Sequence, residues 1–337
     1  MAKSILITGA AGFIGSSLAK RLIETTDCSV VGLDTVNDYY DPKLKEHRLE
    51  QLFALDGAKE RFTFVRGDIA DEALVEKLFV EHGFDVVVNL AAQAGVRYSI
   101  DNPRSYVESN LIGFFNILEA CRHHPVEHLV FASSSSVYGG NSKVPYEESD
   151  PVDHPVSLYA ATKKADELMA HAYAHLYDIP LTGLRFFTVY GPAGRPDMAY
   201  FKFTNKIVKG EPIQIYNNGD MRRDFTYIED IVDGIVAVMG RAPKPCETGA
   251  RYKVYNIGHG KPEGLMDMVV GLEQILMEEG VIEQPTEHQL LPMQPGDVYQ
   301  TWADTSELER DFGYTPQTEL LDGLRAFAKW YKGYYMS

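Results

Sequence analysis

The sequence predicts an α/β protein: a doubly wound parallel sheet in the first part, followed by a smaller α+β lobe. Two observations carry this. Short apolar, β-branched runs alternate with longer helical patterns as far as about Pro180. Beyond it the rhythm breaks into shorter elements punctuated by glycine and proline, as in GPAGRP, PKP, HGKPEG and QPGD.

Taken in order, Ser4–Thr8 reads as the first strand and residues 13–24 as a helix. Ser29–Asp34 and residues 62–67, 85–90 and 128–133 read as the next strands. These runs lack a polar face, as strands covered on both sides do. Residues 72–81 and 104–123 show helical spacing between them. In the second part, 181–187 and 212–216 suit strands, and 201–209 and 265–279 suit helices. Residues 224–239 are amphipathic and apolar enough to pack back onto the first lobe. The expected division is therefore 1–180 as the parallel-sheet domain, with roughly 218–245 packing back onto it, and 181–337 as the smaller lobe.

Composition narrows the function classes. With 45% hydrophobic and 24% charged residues, disorder is a poor reading. A formal net charge of −16 disfavours nucleic acid and anionic membrane as partners, since both need a positive field. No run approaches the roughly 18 apolar residues of a transmembrane helix. The N-terminal MAKSILITGAAGFIG is broken by glycines and reads as strand and turn rather than a secretory signal. Cys28, Cys121 and Cys246 fit neither a disulfide framework nor a zinc spacing, so no metal is expected. A reducing, cytoplasmic setting is the expectation.

The glycine pattern Gly9-Ala-Ala-Gly12-Phe-Ile-Gly15 stands between predicted strand and helix. Glycines there let the backbone turn sharply and approach a pyrophosphate. The start of the helix, Phe13 and Ile14, offers amide hydrogens to it. The spacing is G-x-x-G-x-x-G, and alone it means no more than a tight turn. Asp34 ends the second strand, where a carboxylate reaches ribose hydroxyls and repels a 2′-phosphate, so NAD is favoured over NADP. Asp68, with Ile69, follows the third strand and is placed to meet the adenine.

Ser133-Ser-Ser-Ser136 follows a strand, and ligands of open α/β sheets bind beyond the strand ends. Tyr159 and Lys163 lie one helical turn apart and so share a face. An ammonium stabilises a nearby phenolate, which makes such a tyrosine a general base for an alcohol proton. By itself Y-x-x-x-K is commonly a surface pair. Its weight comes from the order in which glycine loop, aspartate, serines, tyrosine and lysine occur.

That ordered set resembles the extended short-chain dehydrogenase/reductase family, with a Rossmann domain, over essentially the whole chain. The resemblance extends to Asn89-Leu-Ala-Ala, with Ala91 at the cofactor, and to Asn110. It implies Tyr159 as base, Lys163 orienting NAD and tuning Tyr159, Ser134 binding the substrate hydroxyl, and Ser136 assisting. It also implies a homodimer pairing residues 104–123 and 156–177 across a four-helix interface.

Sugar dehydratases and decarboxylases of the family carry acidic residues where this chain has Ser134-Ser-Ser-Val-Tyr138, which favours simple epimerisation through a 4-keto sugar. The stretches Leu184-Arg-Phe-Phe-Thr-Val-Tyr-Gly-Pro-Ala-Gly-Arg-Pro-Asp-Met-Ala199, Phe201-Lys-Phe-Thr204, Gly219-Asp-Met-Arg-Arg-Asp-Phe-Thr226 and Met293-Gln-Pro-Gly-Asp-Val298 resemble the UDP-glucuronate 4-epimerases. UDP-glucose epimerases carry asparagine where Thr188 stands. Ala193 departs from the family's bulky aromatic. Arg97 and Arg223 are candidate diphosphate ligands, since arginine presents a fixed fork of donors. Thr188, Ser136 and Arg195 are candidates for the sugar carboxylate, and Asp297 is a further substrate-binding candidate. The competing readings are a UDP-glucose or UDP-N-acetylhexosamine 4-epimerase, a UDP-glucuronate decarboxylase, and a non-catalytic NAD-binding protein.

Overall fold

A computed structural model describes residues 2–293 and 298–336, so Asp297 lies outside the described residues. In chain order the strands are β1 (Ser4–Thr8), β2 (Ser29–Asp34), β3 (Phe62–Arg66), β4 (Val86–Asn89), β5 (His128–Ser134), β6 (Leu181–Phe186), β7 (Thr188–Tyr190), β8 (Ile213–Ile215), β9 (Arg222–Tyr227), β10 (Tyr252–Ile257), β11 (Pro262–Gly264) and β12 (His288–Leu290). Seven of them form one sheet in the order β10-β6-β5-β4-β1-β2-β3, every neighbouring pair parallel. The order turns back at β1, which pairs β2 on one side and β4 on the other, the switch point where Rossmann-type folds bind ligands.

Strand periodicity divides the apolar residues between two layers. Ile5, Ile7, Val86, Val88 and Val130 pack with Leu18 and Leu22 of the helix Phe13–Thr25 and with Ile231 and Ile235 of the helix Ile228–Met239. Leu6, Val87, Leu129 and Phe131 pack on the other face with Leu78 of Glu72–His82, Ile117 of Gly113–His123 and Ala170 of Leu158–Tyr177. The second lobe has its own core, in which Phe201, Leu272 and Phe327 are fully buried. There β9 lies between β7 and β11, and β8 pairs β12.

Three elements differ from expectation. The amphipathic stretch 224–239 is divided: β9 takes Asp224 to Tyr227, because these residues pair with β7 and β11. The helix Ile228–Met239 does return to the first lobe, where Arg21 bonds Glu229 at 2.7 Å and also Asp233. Residues 104–123 are divided into Pro103–Tyr106, a π-helical stretch Val107–Ile112 and the α-helix Gly113–His123. The wide turn contains Asn110, whose side chain bonds the Gln93 backbone and Thr162 Oγ1. Finally, β6 and β10 belong to the parallel sheet, although both lie beyond residue 180. The two lobes therefore interleave along the chain.

His128 offers a test of the packed sheet. It is buried in β5, with Nε2 2.8 Å from Thr182 Oγ1, and burial pushes its pKa down to about 4. A base with a depressed folded-state pKa stabilises the fold above its ordinary pKa and loses that contribution as pH falls towards the folded value. Between pH 6.5 and about 4 this loss should reach about 3 kcal/mol. Denaturant unfolding of wild type and His128→Gln should show the steeper acid decline in wild type; parallel pH curves would refute it.

Candidate active site

The turn after β1 is set by what will not fit there. Gly9 has φ +72°, and a Cβ on it would stand 2.9 Å from the Ala91 nitrogen. A Cβ on Gly15 would stand 2.2 Å from the Gly9 carbonyl oxygen, so the third glycine lets the helix sit directly on the loop. That helix starts at Phe13 with Gly12 as N-cap and no side chain capping it. Its first-turn amides have no partner within the helix and carry the positive end of its dipole. Phe13, Ile14 and Gly15 stand on the wall of a cleft of about 850 Å³ that opens at the switch point.

Asp34 is fixed by two backbone donors, Ala11 N at 3.0 Å and Val36 N at 2.7 Å, and faces the same cleft. Asp68, Ile69 and Ala91 line it further along. Asn110 does not reach the wall. It is fully buried and ties the Gln93 loop to the helix carrying Tyr159. Glycine cradle, uncapped helix start and strand-end carboxylate together suit a dinucleotide without a 2′-phosphate.

At the end of β5 the serines separate. Ser133 turns inward and donates to Glu167 at 2.6 Å, and Glu167 receives Arg185 through two bonds of 2.8 and 2.9 Å. Ser134 faces the cleft and bonds Ser136 Oγ at 3.1 Å, within a 3-10 turn Ser135–Tyr138. Opposite them the helix Leu158–Tyr177 begins, its first turn capped by Ser157 accepting from Ala160 N at 3.1 Å. Tyr159 and Lys163 stand one turn apart on the cleft wall, and Tyr106 packs edge-on against Tyr159 at 6.0 Å. Lys163 Nζ donates to the Ala132 carbonyl at 2.9 Å and to Asp166 Oδ2 at 3.1 Å. Burial pushes Asp166 up to about 6 against the pull of the Lys163 ammonium, so above that pH the two form a buried ion pair.

The far end of the cleft is basic. Arg97 lies over the Tyr216 ring at 5.1 Å. Arg223 is held by the carbonyls of Val298 at 2.8 Å and Tyr299 at 3.1 Å. Among the described residues neither Arg222 nor Arg223 forms a salt bridge with the adjacent Asp224. Asp224 is fully buried and accepts from the backbone nitrogens of His259, Gly260 and Ala303 at 2.7 to 3.0 Å. Thr188 opens β7 on the cleft wall. Arg195 also faces it, paired with Asp197 at 3.0 and 2.5 Å. Burial would raise the Asp197 carboxyl, but Arg195 overcomes this and holds it below its ordinary value. Tyr39 OH donates to the same carboxylate at 3.3 Å.

The structure thus gathers Ser134, Ser136, Tyr159, Lys163, Arg97, Thr188, Arg195 and Arg223 around one cleft with the glycine loop. Sequence reasoning missed Tyr39, Lys45 and Arg48, which lie in or against this cleft. Their segment carries readable cues, an Asp41 cap and Pro42 opening a helix over Pro42–Phe53, but nothing local shows which way its cations turn. It also missed Asp166, for which the i, i+3 spacing to Lys163 was the available signal. Among the described residues no group of three or more His, Cys, Asp or Glu is placed to hold a metal ion, and no helix is long and apolar enough to cross a membrane.

Fold and site together define a dinucleotide-dependent enzyme of the tyrosine–lysine type. Residues 5–258 match the NAD dependent epimerase/dehydratase family, and the chain belongs to that family. It is 51% identical to the protein CapI of Staphylococcus aureus, over 98% of this chain and 99% of that one. It is 49% identical to UDP-glucuronate 4-epimerase 3 of Arabidopsis thaliana, over 98% of this chain and 77% of that protein. The crystal structure of UDP-glucuronic acid 4-epimerase from Bacillus cereus, in complex with UDP-glucuronic acid and NAD, superposes with a TM-score of 0.87. There the identity is 35%, over 98% of this chain and all of that one.

Proposed function

We propose that this chain inverts the C4 centre of UDP-glucuronate to give UDP-galacturonate, with NAD as a cofactor regenerated in each turnover. The observation that carries the reading is the convergence of Tyr159 and Lys163 on Ser134 and the glycine loop, with Thr188 and Arg195 across the same cleft. Gly9, Gly12, Phe13, Ile14 and Gly15 would hold the NAD pyrophosphate, Asp34 the adenosine ribose, and Asp68, Ile69 and Ala91 the neighbouring wall. Asn110 serves this site indirectly, through Gln93 and Thr162. When bound, NAD supplies a reversible acceptor for the hydrogen on the sugar's C4.

The chain's own part is proton handling and orientation. Ser134 bonds the C4 hydroxyl, and Tyr159 takes its proton and later returns one. Lys163 holds a positive charge beside the phenol oxygen, which favours the deprotonated base. Arg97 and Arg223 neutralise the diphosphate. Asp297 remains a candidate ligand of the sugar nucleotide. With C4 oxidised, the sugar acid is a β-keto acid that readily loses carbon dioxide. Thr188, Ser136 and Arg195 fix the orientation of its carboxylate and restrain that loss. The absence of an acidic residue between Ser134 and Tyr138 separates this site from the dehydratase and decarboxylase patterns.

The protein acts as a homodimer. Val107, Ile112 and Phe115 on one helical stretch, and Leu168 and Leu176 on the neighbouring Leu158–Tyr177 helix, leave their side chains exposed, Leu168 by 59% and Leu176 by 65%. A two-helix face of this kind is covered when a second copy brings its own pair. The three cysteines are free thiols, which suits the cytoplasm.

Incubated with UDP-glucuronate and read by NMR, the protein should produce UDP-galacturonate. Pentose as the main product, or turnover of UDP-glucose or UDP-N-acetylhexosamines instead, would overturn the substrate assignment. Tyr159→Phe should lower kcat by roughly 10²- to 10⁴-fold while NAD stays bound. Thr188→Val should raise the share of pentose; an unchanged ratio would remove Thr188 from the restraint. Leu168→Asp should shift the mass seen by light scattering from dimer to monomer, and an unshifted dimer would place the interface elsewhere.

A further inference from the structure

Arg48 stands behind the cleft rather than in it. It lies on the helix Pro42–Phe53, is 3% exposed, and reaches loops from both lobes. Nε donates to the Ala193 carbonyl at 3.0 Å, and Nη2 to the carbonyls of Ala193 at 2.7 Å and Gly194 at 3.0 Å. Nη1 donates to the Ala11 carbonyl at 3.0 Å and to Tyr40 OH at 2.6 Å. A guanidinium has five N–H donors, and these bonds use them all. None of these acceptors is a carboxylate.

Both bridged loops hold cleft residues. Ala11 lies inside the glycine turn, and its peptide is gripped from two sides, the nitrogen by Asp34 and the carbonyl oxygen by Arg48. Ala193 adopts a left-handed backbone with φ +52°, which turns two successive carbonyls onto one guanidinium. Arg195 follows directly, facing the cleft on its bond to Asp197. The left-handed conformation costs a non-glycine residue energy, and the bonds from Arg48 offset that cost. One planar fork therefore sets the separation between the dinucleotide turn and the loop that carries Arg195.

We propose that Arg48 is a positioning residue that couples the two halves of the cleft, so that a dinucleotide on the glycine turn and a nucleotide sugar beside Arg195 tighten each other's binding. The inference rests on the assignment of those two ligands to this cleft. Whichever ligand arrives first immobilises its loop, and Arg48 passes the restraint to the other loop. Such coupling is reciprocal in binding. Lysine keeps the charge, but its point-like ammonium cannot span acceptors on two loops as the fork does.

The test uses NAD-loaded protein and follows NAD release after dilution, with and without saturating UDP-glucuronate, whose own binding is measured by calorimetry. In wild type the sugar nucleotide should slow release about tenfold. In Arg48→Lys the slowing should fall to twofold or less, while kcat with both ligands saturating stays within about threefold of wild type. Ala193→Val leaves Arg48 in place but opposes the left-handed backbone, and should lose the coupling likewise; it stands in if Arg48→Lys does not fold. Binding of UDP-glucuronate without any effect on release in wild type, or equal slowing in the variants, would overturn the coupling alone. No binding of UDP-glucuronate would overturn the substrate assignment and the coupling together.

Discussion

The rest of the site is built outward from the contact between Gly15 and the carbonyl of Gly9. The helix after β1 rests on its own preceding turn at a distance that no side chain permits. That closeness brings the start of the helix, with its unpaired amides, to the switch point of the sheet. It also puts the Ala11 peptide between Asp34 and Arg48. A bulkier turn would lift the helix off the strand end and separate the dinucleotide cradle from the serines at the end of β5.

Around this turn the chain buries several charges, each for placement rather than stability. The Glu167–Arg185 pair is nearly inaccessible on both sides and holds Ser133 inward, which leaves Ser134 on the cleft. Asp224 gathers three backbone nitrogens from loops of the second lobe beneath β9. Asp166 anchors Lys163 one turn along its helix. Burying an ion pair returns little net stability, whereas removing one partner costs about 3–5 kcal/mol. Such pairs act as fixed struts: they allow one arrangement of the site and oppose its rearrangement.

The parallel sheet was legible because its strands are apolar on both faces and short, as in DVVVNL and HLVFAS. Local patterning carried less information in the second lobe. Residues 224–239 read as one amphipathic stretch, and strand β9 at its start went unseen because its residues gain their pairing only from β7 and β11. Strand β10 escaped notice because Tyr252 to Ile257 become a strand by lying against β6, which is distant in sequence. The π-helical stretch around Asn110 breaks a clean helical pattern to satisfy partners at Gln93 and Thr162, and no local signal announces that.

By itself the sequence determined the class of cofactor, the reacting tyrosine with its lysine, and the likeness of Leu184 to Ala199 to epimerases acting on a sugar acid. These are short-range statements: a turn needing glycines, a strand end needing a carboxylate, a helix turn needing two side chains on one face. Tertiary structure alone decided that Ser133 is drawn to Glu167, and that Asp224 is a strut rather than a partner for its neighbouring arginines. It also decided that Arg48 joins the two lobes. Each of these depends on where a buried polar group finds a hydrogen-bond partner, and that partner lies tens of residues away in the chain.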